Sequence, residues 1–511
     1  MKVLKSLIFL FVLIVISKPS VASHMMGSDM YYKHLGGKKY EFTIKYYRDC
    51  RGIPFQIASC NISCPSGTIK KVVPLTLRSI REITPICKND STRCLPTNKA
   101  SGDGIEEHVY STIIDFDSSD YSSFLLCAGE LIVSTSQCCR NGAITTGVTG
   151  NFYTEIILDF DIATDSNSSP VFEIPPVFKT VANETFTYAL GAVDSTDYDS
   201  LSFSFTDPQS AHLMSLGYTG ALLSKDQPFD AYYPAGTAPP YSNPNVIPAI
   251  GIYLDPFSGS ITATPVTNNQ VTVMVVLVEE WRKDSLGVYH KIGASRRDVE
   301  FAVESTPLNK IPVIEFDSLL SRGHGAGCVS FKVTDTEIGP GSVAPDTLEI
   351  KLIGDKTHLS MTIDSTVYNG LNTSVYGNVC YDSTWSISGD NSIYLYVRDD
   401  NCPWNAEASK GAVVDFPTRS LFKEVNSLYR LSESQIELYP NPASGSVSIS
   451  YGKRINHGFI DVIDLNGSVA LQKEIQSQDK TELNIQRLSA GLYVVRISYE
   501  DETAYLRLVV E

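Results

Sequence analysis

Hydrophobic and polar residues alternate along several short stretches, most clearly at residues 40–48. One set of alternating positions is aromatic or aliphatic and the other is mostly polar: Tyr40, Phe42, Ile44 and Tyr46 against Glu41, Thr43, Lys45 and Tyr47. Successive side chains of a β-strand point to opposite faces, so this period of two predicts a half-buried strand. Similar runs predict strands at 72–77, 108–116, 131–136 and 151–160.

The last segment, residues 435–511, has the same character. Val447 and Ile449 alternate with serines, and two further apolar runs flank Asn466-Gly467, a pair that favours a tight hairpin. Apolar runs at 488–497 and 504–510 complete the pattern. Four or more strands in about 75 residues predict a small β-sandwich.

The whole chain is therefore predicted to be all-β, with tandem Ig-like or cadherin-like β-sandwich modules before the small C-terminal sandwich. Its 27 Tyr and 21 Phe residues, with frequent Gly and Pro, fit strands and turns. The predicted segments are a signal peptide (1–22), a Cys-rich β-sandwich domain (23–164), two Ig-like or cadherin-like domains (165–305 and 306–418), a linker (419–434) and a C-terminal domain (435–511).

The first residues have the pattern of an export signal. Lys2 and Lys5 precede an apolar run at 7–16, and Ser20-Val21-Ala22 supplies small residues for cleavage between Ala22 and Ser23. The apolar run is too short to span a bilayer comfortably, and no later stretch has 18 consecutive apolar residues. We expect an exported chain without a transmembrane segment in its mature form.

Charge excludes one class of partner. The formal net charge is −16 and the isoelectric point is near 5. A protein that neutralises nucleic-acid phosphates carries a basic excess, so no nucleic-acid partner is expected.

The cysteines are concentrated in the first mature domain, as expected for a disulfide framework in an exported protein. Eight of the eleven lie there: Cys50, Cys60, Cys64, Cys87, Cys94, Cys127, Cys138 and Cys139. They predict four disulfide bonds, with Cys138 and Cys139 on opposite faces of a strand and bonded to different partners. A zinc site at Cys60 and Cys64 is the alternative, although closed thiolate sites usually pair two such spacings.

Three cysteines remain beyond this domain. We predict a bond between Cys380 and Cys402, with Cys328 to Cys380 as the rival pairing.

The motifs of the last segment carry a family resemblance. Tyr439-Pro440-Asn441-Pro442-Ala443, then Asp464-Leu465-Asn466-Gly467, then L-x-x-G-L-Y-x-V-x-I from Leu488, together resemble the type A C-terminal sorting domain of the type IX secretion system. The resemblance implies that this machinery handles the chain through residues 435–511. It also implies a secreted or outer-surface location, with the tail removed or exchanged for an anchor.

A second resemblance covers most of the first domain. The phrases S-H-M-M-G (23–27), Y-R-D-C-R-G (47–52), G-I-E-E-H-V-Y (104–110) and C-C-R-N-G-A-I-T (138–145) resemble the N-terminal module of large surface proteins of gliding, type IX-secreting bacteria. Phrases around Arg297 and Asp399 resemble later modules of that family. The implied role is structural or adhesin-like, with an extracellular polysaccharide or a surface protein as partner.

The sequence contains no local signature of catalysis. The eight histidines are scattered, and neither H-E-x-x-H nor G-x-S-x-G occurs. We therefore expect a non-enzymatic protein without a cofactor or metal. A secreted hydrolase of polysaccharide or protein, with an active site that no local motif reveals, is the alternative.

Two acidic turns raise the question of calcium. Asp194, Asp197 and Asp199 form one, and Asp399 and Asp400 belong to the other. Carboxylates suit calcium, but no complete calcium-loop motif is present. Solvated turns capped by Asp are the preferred interpretation.

The segment 228–248 is long for a sandwich connection and rich in proline. Its aromatic residues are Phe229, Tyr232, Tyr233 and Tyr241. They are candidates for a ligand-binding loop, because prolines stiffen a loop and aromatic rings offer flat contact faces. The preferred alternative is that the rings pack onto their own module.

Overall fold

The structure is a computed structural model that describes residues 25–510 with gaps. The gaps are 53–58, 66, 68, 86–91, 93, 95–103, 128–129, 160–166, 198, 221, 240, 284–288, 305–308, 318–325, 337–343, 386–390, 402–404, 415–435, 464–468 and 500–501. The predicted signal peptide, its cleavage residues Ala22 and Ser23, and the predicted linker 419–434 therefore lie outside the described residues.

The first part of the chain consists mainly of β-strands. Its elements are β1 (Met25–His34), β2 (Lys39–Asp49), β3 (Ser59–Ser63), β4 (Lys70–Pro74), β5 (Thr76–Glu82), β6 (Ile105–Asp115), the 3-10 helix η1 (Ser122–Leu126), β7 (Glu130–Gln137) and β8 (Phe152–Asp159). The alternation at 40–48 falls in β2, where Tyr40, Phe42, Ile44 and Tyr46 are all buried in the core. The apolar face of this strand is the one that the sequence indicates.

The middle of the chain alternates short strands with loops and ends in a long hairpin. Its strands are β9 (Val171–Phe172), β10 (Val177–Val181), β11 (Phe186–Ala189), β12 (Ala192–Val193), β13 (Ser200–Phe205), β14 (Gln209–Ala211), β15 (Met214–Ser215), β16 (Ile252–Leu254), β17 (Ser260–Ala263), β18 (Val271–Lys283) and β19 (Tyr289–Glu304).

One large sheet runs across the predicted boundary at residues 164 and 165. Its order is β4-β3-β7-β8-β19-β1-β2-β6-β5. Strands β10 and β18 also pair with β19, and β13 pairs with β18. Strand β19 pairs antiparallel with β1, β8 and β18 and parallel with β10. It is therefore the strand that ties the first predicted module to the second, and the module boundaries themselves stay predictions.

The third predicted module contains two facing sheets. Its strands are β20 (Val313–Phe316), β21 (Gly327–Thr336), β22 (Glu349–Ile353), β23 (Leu359–Asn369), β24 (Asn372–Tyr381), β25 (Asn391–Arg398) and β26 (Glu407–Val414). The sheet orders are β20-β21-β24-β23 and β22-β25-β26. Their hydrophobic core is continuous with that of the preceding module, because β11 and β26 pack together. At this contact, the backbone N–H of Ala189 donates a hydrogen bond to the Ser409 hydroxyl.

The C-terminal segment has its own core. Its strands are β27 (Glu437–Tyr439), β28 (Ser446–Ile463), β29 (Val469–Asn484), β30 (Gly491–Tyr499) and β31 (Glu502–Val510). They pair in the order β27-β28-β30-β31, with β29 also on β28. Strands β28 and β29 form the antiparallel pair predicted around Asn466-Gly467, and that turn itself lies outside the described residues. The chain is all-β, as the sequence predicts.

Candidate functional site

Two of the phrases quoted for the first domain, Y-R-D-C-R-G and G-I-E-E-H-V-Y, place side chains beside a buried ion pair between β1 and β19. Asp29 accepts a hydrogen bond from Nε of Arg297 at 2.7 Å, and neither side chain is exposed. The Tyr47 hydroxyl lies 2.9 Å from Asp29 Oδ2 and 3.2 Å from Glu107 Oε2. Burial raises the pKa of Tyr47 well above its ordinary value, so Tyr47 retains its proton and acts as a donor here.

The guanidinium of Arg297 contacts several chain segments at once. It donates to the carbonyl oxygens of Ile174 and Leu190, and it lies over the Phe172 ring at 4.4 Å from the centroid. A buried charge is tolerated only when it is paired and hydrogen-bonded. These contacts satisfy that requirement and join β19 to β1 and to the loops around β9.

The C-C-R-N-G phrase packs on the other face of β19. Arg140 Nη1 lies 2.6 Å from Asp298 Oδ2, and both side chains are buried. Asn141 donates from Nδ2 to Glu300 Oε1 at 2.8 Å. Burial, with the nearby Asp49 charge, raises the pKa of Glu300 to about 8. The phrase therefore has a structural role that sequence alone did not reveal, because its partners lie about 160 residues away.

The turn at Asp194 shows the backbone capping that the sequence favours, but the turn is not fully solvated, because Asp199 is buried. Oδ1 of Asp194 accepts hydrogen bonds from the N–H groups of Thr196 and Asp197, and Oδ2 accepts from that of Asp199 at 3.0 Å. Burial and the charge of Asp199 raise the pKa of Asp194 to about 7. Asp199 in turn pairs with Arg282 at 2.6 Å.

A second acidic group lies in the third module. Carboxylate oxygens of Asp335, Asp346 and Asp399 lie within 4.8 Å of one another. Asp335 and Asp399 are buried and Asp346 is partly exposed. Burial and the charge of Asp335 raise the pKa of Asp399 to about 8. The sequence singled out Asp399 but missed its neighbours, which lie more than 50 residues earlier and come together only in the fold.

The disulfide bonds of the first domain differ in part from the prediction. Cys50 bonds Cys94 and Cys64 bonds Cys127. Cys138 and Cys139 bond each other, contrary to the expectation of different partners. The expectation assumed that both lie on a strand, but β7 ends at Gln137, so strand alternation does not govern their directions.

The predicted fourth bond in this domain is not formed by Cys60. Among the described cysteines, Cys60 is a buried free thiol, and burial raises its pKa to about 12. Cys87 lies outside the described residues. Cys64 is held by a disulfide, so it is not available as the thiolate ligand that the alternative zinc site requires.

The later cysteines follow the rival pairing. Cys328 on β21 bonds Cys380 on β24, and the two residues lie directly opposite each other with Cα atoms 3.9 Å apart. The preferred prediction of a Cys380 to Cys402 bond is therefore wrong, because strand register places Cys328 opposite Cys380. Cys402 itself lies outside the described residues.

The aromatic residues of the segment 228–248 do not all point outwards. Phe229 is completely buried and packs on Phe301 with ring centroids 4.6 Å apart. Tyr233 packs against the same core, and its hydroxyl lies 3.3 Å from Gln227 Oε1. Tyr232 and Tyr241 are partly exposed. The idea of a ligand-binding loop is thus wrong for Phe229 and stays a prediction for the tyrosines.

An exposed apolar surface occurs on the hairpin of β23 and β24. Four of its side chains are exposed by 41 to 56 %: Ile363, Val367, Tyr368 and Tyr376. Tyr376 lies directly opposite Ser365, so these two side chains share one face of the sheet. Val367 is two residues after Ser365 on β23 and therefore lies on the same face. Among the described strands, β23 is at the end of its sheet, so one row of its backbone groups has no strand partner there.

Similarity to a known family covers the last part of the chain. Residues 437–511 match the family described as "Secretion system C-terminal sorting domain". The prediction of a sorting domain is confirmed, and the chain is an exported protein with a secreted or cell-surface location. In the described part of the chain, no helix is both long and apolar enough to cross a membrane.

Similarities to solved structures are weak. A biofilm-associated protein BSP domain is 9% identical with a TM-score of 0.14, and 97% of each chain is covered. The cadherin-like domains 1 to 4 of zebrafish RET are 10% identical with a TM-score of 0.15, over 89% of this chain and 96% of that one. Invasin, a bacterial integrin-binding protein, is 10% identical with a TM-score of 0.13, over 94% and 78%. TM-scores this low do not establish a shared fold or function. No curated protein matches the sequence.

Proposed function

We propose that this protein is an adhesin-like structural protein of the outer cell surface, that it acts by binding rather than by catalysis, and that type IX secretion exports it. The match of residues 437–511 to a sorting domain carries the proposal. Rigid construction supports it, because buried ion pairs and disulfide bonds reinforce the sheets. Such reinforcement suits a protein that works outside the cell.

The contact surface that we propose is the exposed face of the β23 and β24 hairpin. An edge strand with available backbone groups pairs readily with another extended polypeptide, and neighbouring side chains add specificity. Val367 and Tyr376 supply adjacent exposed apolar area there. We therefore propose a surface protein, bound through an extended segment, as the partner.

Binding of the purified chain to whole cells tests this surface. We expect the double variant Val367→Ser with Tyr376→Ser to lose most binding while its thermal unfolding stays close to that of the parent chain. The matched control is Leu77→Ser with Ile80→Ser on β5, another exposed edge strand. Equal binding by the two double variants would contradict the assignment.

The chemistry of the partner is tested separately. We expect protease treatment of the cells to abolish binding of the parent chain. Binding that survives protease treatment and is inhibited by isolated surface polysaccharide would replace the protein partner with a carbohydrate.

A further inference from the structure

Three segments of the third module bring carboxylates together at one end of the sandwich. Asp335 is next to the last residue of β21, Asp346 precedes β22, and Asp399 directly follows β25. Their oxygens lie within 4.8 Å of one another. At such separations like charges repel strongly, and the repulsion is less screened where the groups are buried.

Asp399 supplies an independent observation. Its Oδ1 accepts hydrogen bonds from Asn309 Nδ2 at 3.1 Å, the N–H of Asn401 at 3.2 Å and the N–H of Ala406 at 2.9 Å. Its Oδ2 is buried and has no hydrogen-bond partner among the described residues. The side chain is 3% exposed. The carboxylate is therefore fixed through Oδ1, while no donor of the described residues reaches Oδ2.

We propose that Asp335, Asp346 and Asp399 bind a calcium ion. Calcium takes oxygen ligands at about 2.3 to 2.6 Å, so two ligand oxygens of one ion lie up to about 5 Å apart. The separation of 4.8 Å or less fits that limit. The ligand set contains oxygen only, whereas zinc and copper sites in proteins draw on nitrogen and sulfur.

The position of the site favours calcium over magnesium. Asp346 is partly exposed, which provides an entry path and room for water molecules to complete the coordination. Magnesium requires near-ideal octahedral geometry and loses its water reluctantly, so it suits a site of two buried carboxylates poorly. Extracellular modules typically bind calcium with a dissociation constant of about 0.1 to 1 mM. Since the chain is exported, we expect an affinity in that range.

Bound calcium would also hold the first residues of the third module in place. Asn309, which holds Asp399, lies in the segment between β19 and β20 and is itself buried. An ion on Asp399 would fix the end of β25 and, through Asn309, the start of the third module. This inference does not depend on the proposed adhesive function.

Calcium titration of the full chain after removal of divalent ions with EDTA tests the site. We expect calcium chloride to bind with one site per chain and to raise the thermal unfolding midpoint by several degrees. Magnesium chloride should give at least a tenfold weaker response. Absence of both heat of binding and a thermal shift at about 10 mM calcium, which is ten times the upper end of the typical dissociation constants, would overturn the proposal.

Variants locate the ion. Asp399→Asn keeps the shape of the side chain, and we expect it to weaken calcium binding at least tenfold. Asp346→Asn at the exposed rim should do the same without disturbing the core. Asp317→Asn is the matched control, since Asp317 is exposed and follows β20 near the opposite end of β21. Unchanged affinity in both Asp399→Asn and Asp346→Asn would show that calcium binds elsewhere and would refute the assignment.

Discussion

Asp29 and Arg297 form a completely buried ion pair although 268 residues separate them in the sequence. Replacing Asp29 with Asn should leave the Arg297 charge buried with a weakened partner, and breaking a buried pair in this way typically costs about 3 to 5 kcal/mol. We expect Asp29→Asn to lower the free energy of unfolding by about that amount. Urea unfolding followed by far-ultraviolet circular dichroism measures it.

The matched control is an exposed ion pair. Lys351 and Glu349 lie 3.0 Å apart with side chains about half exposed, and Glu349→Gln should change stability by less than about 1 kcal/mol. Similar losses of unfolding free energy for Asp29→Asn and Glu349→Gln would show that the buried pair stabilises the fold no more than the exposed pair does.

The strands were predictable because alternation is local. Residues 40–48 predict β2 and its buried face from their own order, and the Asn466-Gly467 pair predicts the pairing of β28 with β29. Burial then follows, since the apolar face of a half-buried strand must find a core. Fold class and the sorting domain could therefore be predicted from short stretches.

The charged contacts were not predictable, because they depend on which distant strands become neighbours. Arg297 and Asp298 are adjacent in sequence and pair with Asp29 and Arg140 respectively, on opposite faces of β19. Nothing local indicates either partner. The disulfide between Cys138 and Cys139 was missed for another reason, since β7 ends at Gln137 and neither cysteine lies on a strand, as the alternation rule requires.

The carboxyl group of Glu300 should make stability depend on pH. Its pKa is raised to about 8 by burial in the folded state, whereas an unfolded Glu titrates near about 4.3. Between these values the folded state binds more protons, so stability falls as pH rises, by up to roughly 1.4 kcal/mol per pH unit from this group. Below about pH 4 both states are protonated and the contribution is constant.

The test compares Glu300→Gln with the parent chain in urea at pH 5, 6.5 and 8. The Gln side chain resembles the protonated acid, so the variant should gain stability relative to the parent as pH rises. Glu315→Gln is the control, because Glu315 is exposed. A constant difference between Glu300→Gln and the parent across this range would rule out titration of Glu300.

Phe229 should behave as a core residue and not as a ligand contact. It is completely buried against Phe301 and Phe186, and truncating a buried Phe to Ala typically costs about 3 to 5 kcal/mol. Tyr241 is partly exposed, so Tyr241→Ser should cost about 1 kcal/mol or less. Thermal unfolding of both variants, with cell binding measured per folded molecule, distinguishes a role in core packing from a role in contacting a partner. Loss of binding in Tyr241→Ser at unchanged stability would support the segment 228–248 as a binding site.

The disulfide between Cys328 and Cys380 should stabilise the third module. It closes a loop with a sequence separation of 52 residues, and by limiting the unfolded chain a bond of this loop size contributes about 2 to 4 kcal/mol. We expect Cys328→Ser with Cys380→Ser to lower the free energy of unfolding by about that amount. Cys60→Ser is the comparison, since Cys60 is a buried free thiol whose replacement removes no bond. Non-reducing peptide mapping of the parent chain should recover a peptide pair joined through Cys328 and Cys380, and recovery of Cys380 joined to Cys402 instead would contradict the pairing.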